Sequence, residues 1–437
     1  MTANTKNQQE ILAKLNIERL NPMQREALNV IKTTKNTILL SPTGTGKTLA
    51  FLLPIIEFLD LNNPEVQALI LVPTRELAIQ IEQVIRNMGS GFKVNAVYGG
   101  RAKSKDKIEL KHTPAILVGT PGRILDHFDD ERFSKASIAT LVLDEFDKAL
   151  EIGFKDEMSE ILDSLPNLSR RILTSATQGV EIPKFVNLTD PKTVNYLSKK
   201  AELKLVVKTV VSPEKDKLTS LLKLLNYLGN QPGIIFCNFR DSIARVSDFL
   251  DDHNIGHTCF SGGLEQQDRE RALIKFRNGT SKILVATDLA ARGIDIPELK
   301  FIIHYELPHS EIEFTHRNGR TARVNEKGTA YVLKWKDQLL PEFIENSAVF
   351  KIPDVASQSE QAWETLFISG GRKDKISKGD IAGLFIKQGG IPPDQLGVIE
   401  LKQDCAFVSV PLSIADKLVS RLNNSRLKKK KVRIYVL

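Results

Sequence analysis

Eight residues, Ser41-Pro42-Thr43-Gly44-Thr45-Gly46-Lys47-Thr48, lie between a short apolar run and a helical pattern. Gly44 and Gly46 let the backbone turn tightly, so that successive N–H groups can point at phosphate oxygens. Lys47 would reach the β- and γ-phosphates as a point charge, and Thr48 would offer its hydroxyl to Mg²⁺. The strict phosphate-loop pattern asks for glycine where Ser41 stands. A surface Gly/Thr turn is the alternative, and the correct flanking strand and helix weigh against it. A second cluster, Leu141-Val142-Leu143-Asp144-Glu145, puts an acidic pair at the carboxyl end of a buried strand. That is where open α/β sheets bind ligands. Asp144 suits the Mg²⁺ shell, and Glu145 suits positioning and deprotonating an attacking water. Taken alone, a solvated strand-end pair would serve as well; the loop upstream tips the reading towards chemistry.

Such residues need strands to hold them. Segments 36–41, 68–73, 94–99, 115–120, 140–145 and 170–176 are short Val/Ile/Leu runs bounded by turn residues. Helical spacing recurs between several of them, as from Arg75 to Asn87. Strand and helix in alternation predict a parallel sheet covered on both faces. An irregular stretch from Asp190 to Glu214 is expected to contain a linker. The alternation then restarts with runs at 232–238, 257–262, 282–288, 300–306 and 328–334, predicting a second α/β lobe. After a polar stretch at 354–360, the remainder reads as β (365–370), α (379–389), β (397–402), β (406–411), α (413–424) and β (432–437). This is the split βαβ order, which RNA-binding RRM domains use.

The chain has 437 residues, 41% of them apolar and 26% charged, which excludes disorder as the main state. Its three cysteines, Cys237, Cys259 and Cys405, form no C-x-x-C pair, so neither a zinc module nor a disulfide scaffold is expected. The longest apolar stretch, Leu49 to Leu59, is broken by Pro54 and Glu57. A membrane span needs about 20 apolar residues. With no secretory pattern at the start, a cytoplasmic location and no membrane partner are the default. The net charge is +8, and from Glu364 onward fourteen Lys/Arg face seven Asp/Glu, so +7 lies in the last sixth of the chain. A basic, folded tail points to a polyanion, although a solvated basic surface would carry the same charge.

The acidic pair continues as Asp144-Glu145-Phe146-Asp147, which resembles the DEAD box of the DEAD-box RNA helicases. Other segments resemble that family's motifs, in order. Asn21-Pro22-Met23-Gln24 is similar to the Q motif, whose glutamine reads the adenine edge. Pro73-Thr74-Arg75, Gly99-Gly100 and Thr120-Pro121-Gly122-Arg123 resemble the RNA-backbone motifs of the first lobe. Ser175-Ala176-Thr177 resembles the motif linking hydrolysis to unwinding. Gln266 to Arg269, the run from Ala286 through Thr287 to Asp295, and His316 to Arg323 match the second-lobe motifs. The likeness covers roughly residues 9 to 340.

The resemblance implies a fold of two tandem RecA-like parallel-sheet domains followed by a small α+β, RRM-like domain. The expected boundaries are 1–205, 206–350 and 362–437. It implies ATP and Mg²⁺ as cofactors. Glu145, Lys47, Arg320 and Arg323 would be catalytic, and Asp295 would accept a ribose hydroxyl. Asp147, Ser175, Thr177 and His316 would couple the cycle to RNA. Thr74, Arg75, Gly100, Thr120, Arg123, Gln266, Arg269 and Thr287 would touch RNA. Arg320 and Arg323, three apart, share a face on a helical turn. A finger arginine can be worth about 10³–10⁵ in rate, so closing the lobes on ATP would gate hydrolysis.

Three departures stand out. Ala322 replaces the usual glycine of the last motif, Phe146 replaces a small alanine, and no aromatic residue precedes Phe51 to stack on adenine. The tail resembles the RNA-binding domain of the bacterial DbpA-like helicases, chiefly over 370–383. There Phe367 and Phe407 occupy positions where a base could stack, or they could belong to the core. Lys428 to Lys431 could form a phosphate patch or a solvated loop. The expected protein is an ATP-dependent helicase acting on structured RNA, ribosomal RNA of the large subunit. It would be a monomer working on pre-ribosomal particles. A DNA translocase and a non-hydrolysing RNA clamp are the rivals; Gln24 with the tail argues against the first, and the intact Lys47, Glu145, Arg320 and Arg323 against the second.

Overall fold

Side chains alternate between two cores in the first sheet. Ala68 and Ile70 join one cluster with Leu39, Val118 and Ile172, while Leu69 and Leu71 join another with Leu117, Leu141 and Leu173. A strand buried on both faces has no polar side to show, which is why these runs are continuously apolar. A computed structural model describes residues 7–177, 181–197, 204–288, 299–321, 327–344, 347–353 and 362–437. They fall into two compact units, one up to residue 197 and one from residue 204.

The first unit is a seven-stranded sheet. Its strands are β1 (Asn36–Leu40), β2 (Ala68–Leu71), β3 (Val94–Val97), β4 (Ile116–Gly119), β5 (Thr140–Leu143), β6 (Arg170–Ser175) and β7 (Lys192–Asn195). The order is β3-β4-β2-β5-β6-β1-β7, and every pairing is parallel. The second unit has another seven-stranded sheet, of β8 (Lys204–Ser212), β9 (Gly233–Phe236), β10 (His257–Phe260), β11 (Ile283–Ala286), β12 (Phe301–His304), β13 (Lys327–Trp335) and β14 (Ala348–Val349). Its order is β10-β11-β9-β12-β13-β8-β14, again parallel throughout. The stretch from 190 to 214 is more regular than its sequence suggests. It carries β7 at one end and β8 at the other, each recruited by pairing with β1 and β13.

The tail, in the second unit, contains β15 (Trp363–Ile368), β16 (Ile399–Leu401), β17 (Ala406–Pro411), β18 (Arg426–Leu427), β19 (Lys430–Lys431) and β20 (Ile434–Val436). Four of them make an antiparallel sheet in the order β16-β17-β15-β20. The βαββαβ order holds, with one difference at the end. Val432 does not open the last strand, because Arg426–Leu427 and Lys430–Lys431 first close a small hairpin over Lys428, whose φ is 55°. Among the described residues no helix is long and apolar enough to cross a membrane.

Candidate nucleotide and RNA site

The carboxyl ends of β5, β6 and β1, three adjacent strands, carry the residues expected at a nucleotide. After β1 the loop from Ser41 to Gly46 leads into the helix Lys47–Phe58, with Gly44 and Gly46 at φ 78° and 85°. A helix N-terminus with backbone N–H groups turned outward is a ready anion site. Lys47 Nζ donates to the carbonyls of Ser41 (2.6 Å) and Pro42 (3.0 Å), so the ammonium lies across the loop. Ser41, in the glycine position, is buried, and its hydroxyl bonds Thr45 Oγ1 at 2.8 Å, bracing the loop from within.

Asn21 and Gln24 form a reciprocal capping box on the helix Pro22–Thr33. Asn21 Nδ2 also donates to Thr45 O (3.0 Å), and Gln24 Nε2 to Gly46 O (3.2 Å), so this short motif clasps the phosphate loop. A carboxamide has two N–H donors and two oxygen lone pairs. One donor goes to Gly46 and one lone pair to Asn21 N–H, leaving one of each, which is the pattern an adenine edge requires. Gly46 lies at φ 85°, where a Cβ would be strained and would also lie 2.4 Å from Gln24 Nε2, so glycine is favoured here.

Asp144 follows β5 and is buried. Its pKa is raised to about 6, first by burial and then by the neighbouring Glu145 charge, against a Thr174 hydrogen bond and the Lys47 ammonium. Thr174 Oγ1 donates to Asp144 Oδ1 and accepts from the Glu145 N–H at 3.1 Å. Glu145 sits at φ 47°, ψ 49°, a left-handed conformation that costs about 1–3 kcal/mol for such a residue. Phe146 finds its space behind the strand. It is 3% exposed, in the cluster with Leu143, Ala149 and Leu173. Asp147 Oδ2 accepts from Thr177 Oγ1 at 2.7 Å, and Ser175 Oγ accepts from the Thr177 N–H at 3.0 Å. The acidic box and the Ser-Ala-Thr segment are therefore tied directly together.

Pro73, Thr74 and Arg75 follow β2, Gly100 follows β3, and Thr120 to Arg123 follow β4, on the other half of the same sheet. Thr74 Oγ1 caps the helix Arg75–Met88 by accepting from Leu77 N–H at 3.2 Å. Arg75 lies against Gly99 and Gly100. A Cβ at Gly100, where φ is 81°, would come within 2.3 Å of its Nη1, so glycine suits that position. Thr120 starts the helix Pro121–Asp129 without a side-chain cap bond. Arg123, expected to face RNA, is instead buried. Its Nε donates to Tyr98 O at 3.1 Å, another nitrogen donates to Arg101 O, and Asp106 lies 3.5 Å away. It braces the loop ends around it.

In the second unit, Gln266 and Arg269 open the helix Gln266–Arg277, with the Arg269 guanidinium 5.0 Å from the Phe260 ring. Thr287 follows β11. His316 is buried on the helix Glu311–Asn318, with buried Arg320 just beyond it. Asp295 and Arg323 lie outside the described residues. Arg317, Asn238 and Asp288 had no role assigned from the sequence, yet they hold this face together. Arg317 donates to both carboxylate oxygens of Asp288 (2.8 and 2.5 Å), to Glu306 O (2.8 Å) and to Asn238 Oδ1 (2.7 Å). One arginine thus pins the ends of β9, β11 and β12. An arginine beside His316 was the available signal, but its partners lie 11, 29 and 79 residues away.

In the tail, Phe367 stacks on Tyr435 at 4.7 Å and meets Phe407 edge-on at 5.6 Å. Phe407 is only 6% exposed, whereas Tyr435 is 44% exposed. The lysine run is partly neutralised. Lys428 pairs with Asp380 (2.9 Å) and Lys430 with Asp374 (2.7 Å). Hydrogen bonds from Ser377 and then Lys428 hold the Asp380 carboxyl down at about 2.

Two parallel sheets in tandem, a phosphate loop and an acidic pair on the first, and an arginine-bearing helix on the second define the class of two-lobed nucleotide-dependent helicases. Family models narrow this. A DEAD/DEAH box helicase model matches residues 21–185, a helicase conserved C-terminal domain 216–325, and a DbpA RNA binding domain 365–436. The ATP-dependent RNA helicase DbpA of Bacillus subtilis is 31% identical over 450 residues, covering 94% of this chain and 93% of the relative. The ATP-dependent rRNA helicase rrp3 of Sclerotinia sclerotiorum is 39% identical over 317 residues, covering 71% of this chain and 66% of the relative. Among solved structures, S. cerevisiae Dbp5 bound to RNA and ADP BeF3 superposes with a TM-score of 0.69 at 26% identity, covering 78% of this chain and 89% of that one. The chain belongs to the DEAD-box ATP-dependent RNA helicases, and within them to the DbpA type.

Proposed function

We propose that this helicase remodels structured ribosomal RNA of the large subunit, with the tail choosing the RNA and the two sheets supplying RNA-stimulated ATP hydrolysis. The likeness to relatives of DbpA type, and to one named an rRNA helicase, supports the choice of RNA. A cytoplasmic monomer acting on pre-ribosomal particles fits this reading, with working boundaries at 1–205, 206–350 and 362–437.

The observation that carries the chemistry is the strained, charged pair Asp144 and Glu145 opposite the Lys47 loop. Among the described residues no group of three or more His, Cys, Asp or Glu could hold a metal by itself. One buried carboxylate and the Thr48 hydroxyl fit Mg²⁺, which takes few protein ligands and completes its shell with phosphates and water. When bound it would neutralise charge on the phosphates. Lys47 and the amides of Thr43 to Thr48 orient the phosphates, and Gln24 reads the adenine with its remaining donor and acceptor. Glu145 takes the proton of the attacking water, and Arg320 and Arg323 stabilise the charge that develops. Asp147, Thr177, Ser175 and His316 carry the result to the RNA side. Thr74, Arg75, Gly100, Thr120 and Gly122, with Gln266, Arg269 and Thr287, hold the sugar-phosphate strand, contacts that position without reading sequence.

Glu145→Gln tests this reading. It should retain ATP binding and lower RNA-stimulated turnover by about 10²–10⁴. RNA crosslinked to that variant and sequenced should be dominated by a large-subunit ribosomal segment. Turnover near the parent rate would remove Glu145 as the base, and an even spread over cellular RNA would remove the ribosomal assignment.

A further inference from the structure

In an antiparallel sheet packed on helices, one face is buried in the core and the other meets solvent. In the tail, Leu366, Ile368, Ala406, Val408, Val410 and Ile434 fill the core face. The cross-strand register puts Thr365, Phe367, Ser409, Phe407, Glu400 and Tyr435 on the opposite face. Half of that face is nevertheless buried. Thr365 is 0% and Ser409 1% exposed.

The cover is the C-terminal end of the helix Gln266–Arg277. Arg277 grips Glu400 with two nitrogens, at 2.6 and 2.9 Å. Ser409 Oγ donates to Asn278 O at 2.7 Å, Asn278 Nδ2 donates to Thr365 Oγ1 at 3.3 Å, and the hydroxyls of Thr280 and Thr365 lie 2.7 Å apart. A bidentate guanidinium–carboxylate pair backed by buried hydroxyls specifies an angle as well as a contact. The opposite end of the same helix carries Gln266 and Arg269. At 1.5 Å per residue, its 12 residues set the two ends about 17 Å apart.

We propose that the open face of the tail sheet is a docking surface for the second lobe, and that this helix joins tail and second lobe into one rigid RNA-holding body. The docking depends only on the contacts above; its effect on RNA rests on the reading that the tail binds RNA. Phe407, 6% exposed, offers little surface to a base, and the Phe367–Tyr435 edge of this face stays open. A docked tail holds its RNA at one distance from the Gln266 and Arg269 end of the helix, so a single strand bridges both only beyond a threshold length. A tail on a loose tether would give a gradual gain instead.

The test uses the full chain and a length series of oligo(U). For the parent, the apparent RNA affinity in the ATPase assay should step up by about tenfold or more at one length. Arg277→Glu and Glu400→Arg should each blunt the step, and the double reversal should restore it. A Thr280→Cys/Thr365→Cys protein should crosslink under mild oxidation, where Thr280→Cys/Ser425→Cys should not, and the crosslinked form should keep the step. A crosslink no faster than the control would overturn the docking. A step unchanged by the single reversals, or lost on crosslinking, would overturn the coupling. Long oligo(U) binding no tighter than short, with crosslinking intact, would show that the tail does not hold a plain single strand; it would overturn the coupling and leave the docking, and the structured-RNA reading of the tail, standing.

Discussion

The carboxyl ends of the two parallel sheets are furnished in opposite ways. In the first, two adjacent carboxylates follow β5, one buried with its pKa raised to about 6 and the other held in a left-handed backbone conformation. In the second, the buried Arg317 meets its counter-charge on Asp288 and two further acceptors, on Asn238 and Glu306, and the nearby His304 is held neutral, its pKa lowered to about 3 chiefly by burial and then by Arg317. The first face keeps charge and strain unrelieved, ready for a cationic or phosphate-bearing ligand. The second resolves its charges internally and stays one rigid piece. Polar groups at a ligand face can thus be left costly or be satisfied in advance, and this chain does one in each sheet.

The largest expected effect lies on the satisfied side. Arg317→Ala strands Asp288 beside a buried void and should destabilise the second unit by about 3–5 kcal/mol. Chemical denaturation followed by a probe in each unit would measure it. An equal loss in both units, or a loss below about 1 kcal/mol, would break the contrast.

Next comes Asp144→Asn, which should act in the opposite direction. It removes a buried charge while leaving an oxygen for Thr174. In nucleotide-free protein at pH 7 it should stabilise the first unit by on the order of 2 kcal/mol and abolish ATPase activity. The pH dependence sharpens the point. Because the Asp144 pKa is raised in the fold, the folded unit takes up the proton first, and its stability rises as pH falls from about 6 towards 4. The His304 pKa is depressed, so its contribution is present above about 6.5 and is lost as pH falls towards 3. Unfolding at pH 7 and pH 5 should therefore shift in opposite senses at these two residues. In Asp144→Asn and His304→Gln the respective slopes should flatten.

The smallest effect is backbone strain. Glu145→Gly should add about 1 kcal/mol to the first unit by relieving the left-handed residue, while removing the proposed base. Lower stability in that variant would show that Glu145 is not strained.

The local geometry of the expected nucleotide side was legible because its motifs are short. The loop from Ser41 to Thr48, the Asn21–Gln24 box and the Asp144–Glu145 pair each lie within a few residues, and capping rules and glycine permissiveness operate over that range. The parallel sheets were legible for a similar reason. A strand buried on both faces must be apolar throughout, and a helix must separate it from the next. The RNA side was less so. Arg123 carries the motif expected of a phosphate contact, yet the carbonyls of Tyr98 and Arg101 take its donors, from residues 22 and 25 positions earlier.

By itself, then, the sequence determined the two tandem sheets, the βαββαβ tail and the local shape of the loop and acidic pair, because periodicity, turn chemistry and short motifs are properties of contiguous chain. Only the tertiary structure decided which of those residues are spent internally. Phe146 fills the space behind β5, Arg317 pins three strand ends, Lys428 and Lys430 are claimed by Asp380 and Asp374, and the Gln266–Arg277 helix covers half of the tail's open face. Each outcome depends on partners tens of residues distant, and no local pattern encodes whether a donor will find its acceptor in the solvent, in a ligand or in the fold.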